Sequence, residues 1–158
     1  MGVMHISEIL RPTMVMPSVT AANKGSLLTA MVHHAATYGP WQIHSESSVL
    51  DAIMHREELG STGVGGGVAI PHAKIPMLDH LLGVFARIPE GINFDSTDGS
   101  PVTLVFMLLV PSHASVIHLK ALARVSCLLK NELFKDELLS LQDTQAIYAA
   151  ISSCDEND

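Results

Sequence analysis

The sequence predicts an α/β fold, a single domain in which one central mixed β-sheet is flanked by helices. Stretches with apolar residues at helical spacing alternate with short, almost wholly apolar β-prone runs, and no linker separates two such sets. Two of those runs, 81–88 and 102–110, are apolar nearly throughout, the pattern of strands covered on both faces. The chain of 158 residues is 47% hydrophobic, which suits one substantial core, and with only 4% aromatic residues that core is mostly aliphatic. The domain is expected over 1–152, with a flexible tail at 153–158.

Residues 24–37 place Leu27, Leu28, Met31, Val32, Ala35 and Ala36 at helical spacing, with Asn23 as cap and Gly39-Pro40 as stop. A second helix is read over 49–59, started by a capping box of Ser48 and Asp51 and ended by Gly60 as a left-handed terminator. "VAI" at 68–70 is a short strand closed by Pro71. "LLGVFARI" at 81–88, "INF" at 92–94 and "VTLVFMLLV" at 102–110 are further strands, with a turn in "STDGSP". Beyond Pro111 the spacing of Leu119, Leu122, Ala123, Leu128 and Leu129 predicts a helix over 116–130, and shorter helices follow near 132–141 and 144–152. No internal repeat or low-complexity segment occurs.

Bulk properties exclude several function classes. The net charge is −7, and no lysine or arginine cluster stands out, which argues against DNA, RNA or an anionic membrane surface as the partner. Cys127 and Cys154 match no zinc or redox spacing and read as free thiols of a reducing cytoplasm. The start "MGVMHISEILRP" has no signal-peptide pattern, and Ile6 stands where a myristoylation motif wants Ser or Thr. The longest strongly apolar run, Val102 to Val110, is too short to span a bilayer as a helix. A cytoplasmic protein without direct membrane insertion is expected.

The chemistry concentrates in "GSTGVGGGVAIPHAK" at 60–74, where five glycines fall within eight residues. A Walker loop fails because Gly66 stands where its lysine belongs. The dinucleotide fingerprint fails because Val68 stands at its last glycine. Both motifs run from strand to helix, whereas this loop runs from helix to strand. Glycine amides can nonetheless approach an anion closely, and His72 follows behind Pro71. Among nine histidines there is no H-E-x-x-H, and His113 and His118 are five apart, so a metal site is not expected. His72 at a strand end and His118 at a helix start can converge on one side of a sheet. With glycine amides, Ser61, Thr62 and Arg56, they would make a phosphoryl pocket around a neutral imidazole nucleophile.

At this point "REELGSTGVGGGVAIPHAK" (56–74) resembles the active-site signature of the enzyme IIA domains of the fructose, mannitol and nitrogen-related branch of the bacterial phosphotransferase system. "FDSTDGSPVTLVFMLLVP" (94–111) and "HLKALARV" (118–125) resemble the segments around the family's second histidine, so the resemblance spans nearly the whole chain. It implies a phosphocarrier. His72 would accept a phosphoryl group, usually at Nε2, from the phosphohistidine of HPr or a nitrogen-branch relative, and His118 would steady that group. Arg56, Ser61, Thr62 and the amides of Gly65, Gly66 and Gly67 are expected as phosphate donors. No metal or nucleotide cofactor is implied. Gly66 stands where many members have asparagine, and Ala73 replaces a frequent glycine. With no IIB domain or membrane span on the chain, the expected role is nitrogen-branch regulation of target proteins. A free-standing sugar-specific IIA that passes phosphate to a IIB domain is the alternative.

Overall fold

The computed structural model describes residues 5–40, 42–43 and 45–157; His44, one of the nine histidines, lies outside them. Its elements follow the predicted order. After two 3-10 turns, a short strand β1 (Val15–Met16) leads to helix α1 (Lys24–Tyr38) and helix α2 (Glu46–Glu58). Strands β2 (Gly63–Gly65), β3 (Val68–Ala69), β4 (His72–Ile75), β5 (Leu82–Ile92) and β6 (Val102–Pro111) form the middle of the chain. Helices α3 (Ser115–Leu129), α4 (Glu132–Ser140) and α5 (Thr144–Ser153) complete it.

Helices α1, α2, α4 and α5 begin where a side chain satisfies a first-turn amide. Asn23 accepts from the Ser26 amide at 2.8 Å, Asn131 from Phe134 at 3.0 Å and Asp143 from Ala146 at 3.0 Å. At α2 the sequence reading needs correction. Ser45, not Ser48, is the cap and accepts from the Ser48 amide at 3.2 Å, so the helix starts three residues early. Its first turn, Glu46-Ser47-Ser48, holds no apolar residue and is therefore silent in the hydrophobic pattern. Gly60 is not a left-handed terminator either, since its φ is 158°. The last turn of α2 closes instead by backbone bonds from Leu59 to the Arg56 carbonyl and from Gly60 to the Glu57 carbonyl.

The sheet order is β1-β5-β6-β3-β2, and β4 also lies along β6. β5 pairs antiparallel with β6, and β2 with β3, while β1 runs parallel to β5 and β3 and β4 run parallel to β6. Leu82 to Ile88 are all buried; since successive residues face opposite sides, both faces of the sheet are covered. Phe85 stands opposite Phe106, with their rings edge-on at 6.1 Å. The two strands expected at 81–88 and 92–94 merge into β5 as far as Ile92, with a register shift between Arg87 and Ile92 that Gly91 permits at φ 74°. Buried Arg87 stays satisfied by donating to the carbonyls of Leu139 (2.9 Å) and Pro17 (3.0 Å), tying β5 to the end of α4.

Residues expected as a tail carry contacts back to the start of the chain. Cys154–Asn157 form a 3-10 turn in which Asp155 accepts from the amides of Ile6 (2.7 Å) and Ser7 (3.1 Å) and pairs with Arg124 at 3.3 Å.

β3 and β4 lie end to end along β6, Val68 opposite Leu104 and His72 opposite Leu108, separated by Ile70-Pro71. Proline has no amide to give the ladder, so pairing lapses there and resumes at His72. His72 therefore opens a strand, where the sequence reading had it follow one. That gap positions the site.

Candidate functional site

In the gap before β4, the Ile70 carbonyl turns to the His72 ring and lies 2.7 Å from Nδ1. A carbonyl only accepts, so Nδ1 carries the proton, and in the neutral ring Nε2 holds an unshared pair. The first turn of α3 brings His118 against this ring, with centroids 5.4 Å apart and planes at 65°. His118 Nε2 is buried and has no hydrogen-bond partner among the described residues, an unusual position for a polar atom.

The two rings line a cleft of about 370 Å³ together with Ala52, His55, Arg56, Leu59, Ala73 and Lys74. No carboxylate is among those lining residues, so a chain of net charge −7 presents a locally basic pocket. Arg56 anchors its guanidinium by donating from Nη1 to the Gly60 carbonyl at 2.9 Å. Burial holds the His72 ring below its ordinary pKa; the Ile70 bond opposes this, the Arg56 charge adds to the lowering, and the Glu57 charge offsets it. His118 is likewise lowered, by burial first and then by the His72 and Lys74 charges. Both rings are thus kept neutral, and His72 is kept nucleophilic, at and somewhat below neutral pH.

Other expected donors are placed differently. Thr62 is buried, with its hydroxyl donating to Glu57 Oε1 at 2.6 Å and its amide to Oε2 at 2.9 Å. Ser61 donates to the Phe94 carbonyl at 2.5 Å and accepts from the Gly63 amide at 3.0 Å. Neither hydroxyl is turned toward the cleft. Glu57 also receives Lys24 Nζ at 3.1 Å, so a partly buried ion pair lies under the loop.

Gly65, Gly66 and Gly67 are not brought to the histidines. They turn the β2–β3 hairpin at φ 92°, 65° and 81°, the left-handed region that glycine alone enters freely. The hairpin lies four β6 residues back from His72, about 13 Å at ~3.3 Å per strand residue. The Gly66 amide is occupied by the chain's own anion, Asp98 Oδ2, at 3.0 Å, and its carbonyl accepts from the buried Lys135 Nζ at 2.8 Å. The bonds from the Gly66 and Ser100 amides hold the Asp98 carboxyl below its usual range.

The structure thus groups His72, His118 and Arg56, adding His55, Lys74 and Leu59, which sequence reasoning had not assigned. Lys74 was legible as a cation two residues past the active strand's start. His55 had no signal beyond its place one residue before Arg56. Among the described residues no three His, Cys, Asp or Glu side chains gather as metal ligands would, and no helix is long and apolar enough to cross a membrane.

Three comparisons bear on what this arrangement does. The family model described as "Phosphoenolpyruvate-dependent sugar phosphotransferase system, EIIA 2" matches residues 8–154. A nitrogen regulatory protein of Bradyrhizobium diazoefficiens is 40% identical over 149 residues, covering 94% of this chain and 95% of the relative. A fructose-specific EIIA component of the phosphotransferase system from Haloferax volcanii is 33% identical over 147 residues, 93% of this chain and 94% of the relative. The crystal structure of the nitrogen regulatory protein IIA-Ntr from Neisseria meningitidis superposes with a TM-score of 0.83 at 30% identity, covering 92% of this chain and 98% of that one.

Proposed function

The chain belongs to the EIIA 2 family of the phosphoenolpyruvate-dependent sugar phosphotransferase system, and on that premise we propose that it is a phosphocarrier whose acceptor atom is Nε2 of His72. The observation that carries this reading is the Ile70 bond, which commits the proton to Nδ1 and leaves Nε2 with its lone pair beside His118. In the step proposed, Nε2 attacks the phosphorus of a phosphohistidine on an HPr-like carrier protein. The new N–P bond forms as the donor's P–N bond breaks, and the donor ring nitrogen leaves with the bonding pair. The His72 Nδ1 proton stays in place, and the Ile70 carbonyl stabilises the positive character the ring acquires. Arg56, Lys74 and the unpartnered Nε2 of His118, when protonated, supply donors for the phosphoryl oxygens.

A protein donor needs a surface to dock on. Leu59 on the cleft rim and Val116 and Leu119, which flank His118 one turn apart on α3, are all well exposed, an unusual density of bare aliphatic side chains around one site. They are the proposed apolar contact ring for the carrier.

Nitrogen-branch regulation of target proteins is the preferred biological role, supported by the nitrogen regulatory relative and the IIA-Ntr neighbour. A sugar-specific IIA that donates to a IIB domain is the second reading, favoured by the similarity to a fructose-specific EIIA component over nearly its whole length. The test is label transfer from a phosphorylated HPr-like carrier, expected in the wild-type protein and absent in His72→Ala. Equal labelling of the variant would refute His72 as acceptor. Rapid, complete passage of the label to a sugar IIB domain would overturn the regulatory role.

A further inference from the structure

A series of hydrogen bonds links a buried carboxylate, residue by residue, to the His72 ring. Glu57 accepts from the Thr62 hydroxyl at 2.6 Å and from the Thr62 amide at 2.9 Å. The Thr62 carbonyl accepts from the Ile70 amide at 3.0 Å. The Ile70 carbonyl accepts from His72 Nδ1 at 2.7 Å. The far end is fixed as well, because Lys24 Nζ reaches Glu57 Oε2 at 3.1 Å, the Phe94 carbonyl at 3.3 Å and Asp95 at 3.3 Å. Glu57 and Thr62 are both buried, so these bonds have little competition from water.

We propose that Glu57, acting through Thr62 and the Ile70 peptide, is a positioning residue that sets the tautomer and orientation of His72. It does not touch the phosphoryl group. The Ile70 carbonyl lies in the break between β3 and β4, where Pro71 gives the ladder no amide, so strand pairing alone does not fix it. Ile70 is held on one side by its amide bond to Thr62 and on the other by the Pro71 carbonyl, which accepts from Leu108 at 2.8 Å; Thr62 in turn is held by the two-point grip of Glu57. The series acts by position, each residue being held by the next until it ends on the anchored Glu57 carboxylate. The Ile70 carbonyl thereby stays aimed at Nδ1–H, and Nε2 is the nitrogen left open. This accounts for the partly buried Lys24–Glu57 pair, neither member of which lines the cleft. It also explains why Thr62, placed by the sequence among expected phosphate donors, is turned inward.

The proposal rests on the reading of His72 as acceptor, but its test does not require transfer to occur. Ring nitrogen NMR of the unphosphorylated, 15N-labelled protein near pH 7.5 reads the His72 tautomer directly. In wild type the proton is expected on Nδ1. Thr62→Val keeps the volume and the amide bond but removes the hydroxyl, and is expected to yield mixed tautomers and label from phosphorylated carrier roughly tenfold more slowly, the worth of about one hydrogen bond. Thr62→Ser restores the hydroxyl and is expected to recover both tautomer and rate. Glu57→Gln, which sets an amide donor against Thr62 and Lys24, should show the same tautomer mixing. If it loses its dispersed spectrum, the Thr62 pair decides. A Thr62→Val protein with wild-type tautomer and rate overturns the relay, as does failure of Thr62→Ser to recover them. Should wild type show the Nδ1–H tautomer yet take no label, the acceptor reading falls while the relay stands.

Discussion

Replacing Gly66 by alanine separates the two roles the glycine loop could have. Gly66 has φ 65°, and a Cβ there would lie 2.8 Å from Lys135 Nζ, which is buried and bonded to the Gly66 carbonyl. Left-handed backbone costs alanine about 1–2 kcal/mol, and displacing the lysine from one hydrogen bond costs about 1 kcal/mol more. A loss of about 2–3 kcal/mol lowers the melting temperature of a domain this size by roughly 4–12 °C, measurable by calorimetry or circular dichroism. Gly66→Asn keeps the Cβ contact but tolerates the left-handed backbone, so its loss should be nearer 1 kcal/mol. Neither variant should change the rate at which folded protein takes label from the carrier, since the hairpin lies along β6 away from His72. Labelling that falls in Gly66→Ala as it does in His72→Ala, with the melting temperature unchanged, would refute a purely structural role and return the loop to the phosphate site.

Further outcomes follow from the same geometry. Because burial and Arg56 hold His72 below its ordinary value, phosphoryl acceptance should persist below pH 6.5, and Arg56→Gln should move the acidic limb of the pH–rate profile upward; a limb unmoved by the variant would exclude that charge. Linkage gives the matching sign for stability: with the folded value depressed, the contribution of His72 is complete above the unfolded value of about 6.5 and is lost as pH falls through the folded one. The urea midpoint should therefore drop between pH 7.5 and 5.5, and drop less in His72→Gln. Asp155→Ala strands the Ile6 amide, leaves that of Ser7 to water and takes one partner from the buried Arg124, which keeps the Cys154 carbonyl, and should cost about 2 kcal/mol in urea unfolding at pH 7; an unchanged midpoint would mean the terminal clasp adds nothing. Leu119→Asp should slow labelling by a carrier protein yet leave labelling by a small phosphoramidate unaltered, and equal slowing with both donors would remove the docking role.

Much of the fold was legible because its signals are local. The long apolar runs of β5 and β6, covered on both faces, and the Asn23 cap of α1 are written in consecutive residues. The Ser45 start of α2 was not, because a polar first turn has no hydrophobic period. The histidine pair was legible through the motif, although His72 opens β4, where the strand-end reading had placed it after a strand. What sequence could not show was direction. Thr62 and Ser61 are hydroxyls at plausible positions, but which way they point depends on Glu57 and on the Phe94 carbonyl from a loop 33 residues away. The Gly66 amide is likewise taken by Asp98, 32 residues on, a partner that only tertiary structure brings near.

Phosphorus–nitrogen correlation in 15N-histidine protein phosphorylated by an HPr-like carrier is the most direct measurement. A single phosphohistidine is expected, with phosphorus coupled to Nε2 of His72 and the proton retained on Nδ1. Phosphorus on Nδ1 of that ring, or on any other residue, would contradict the assignment.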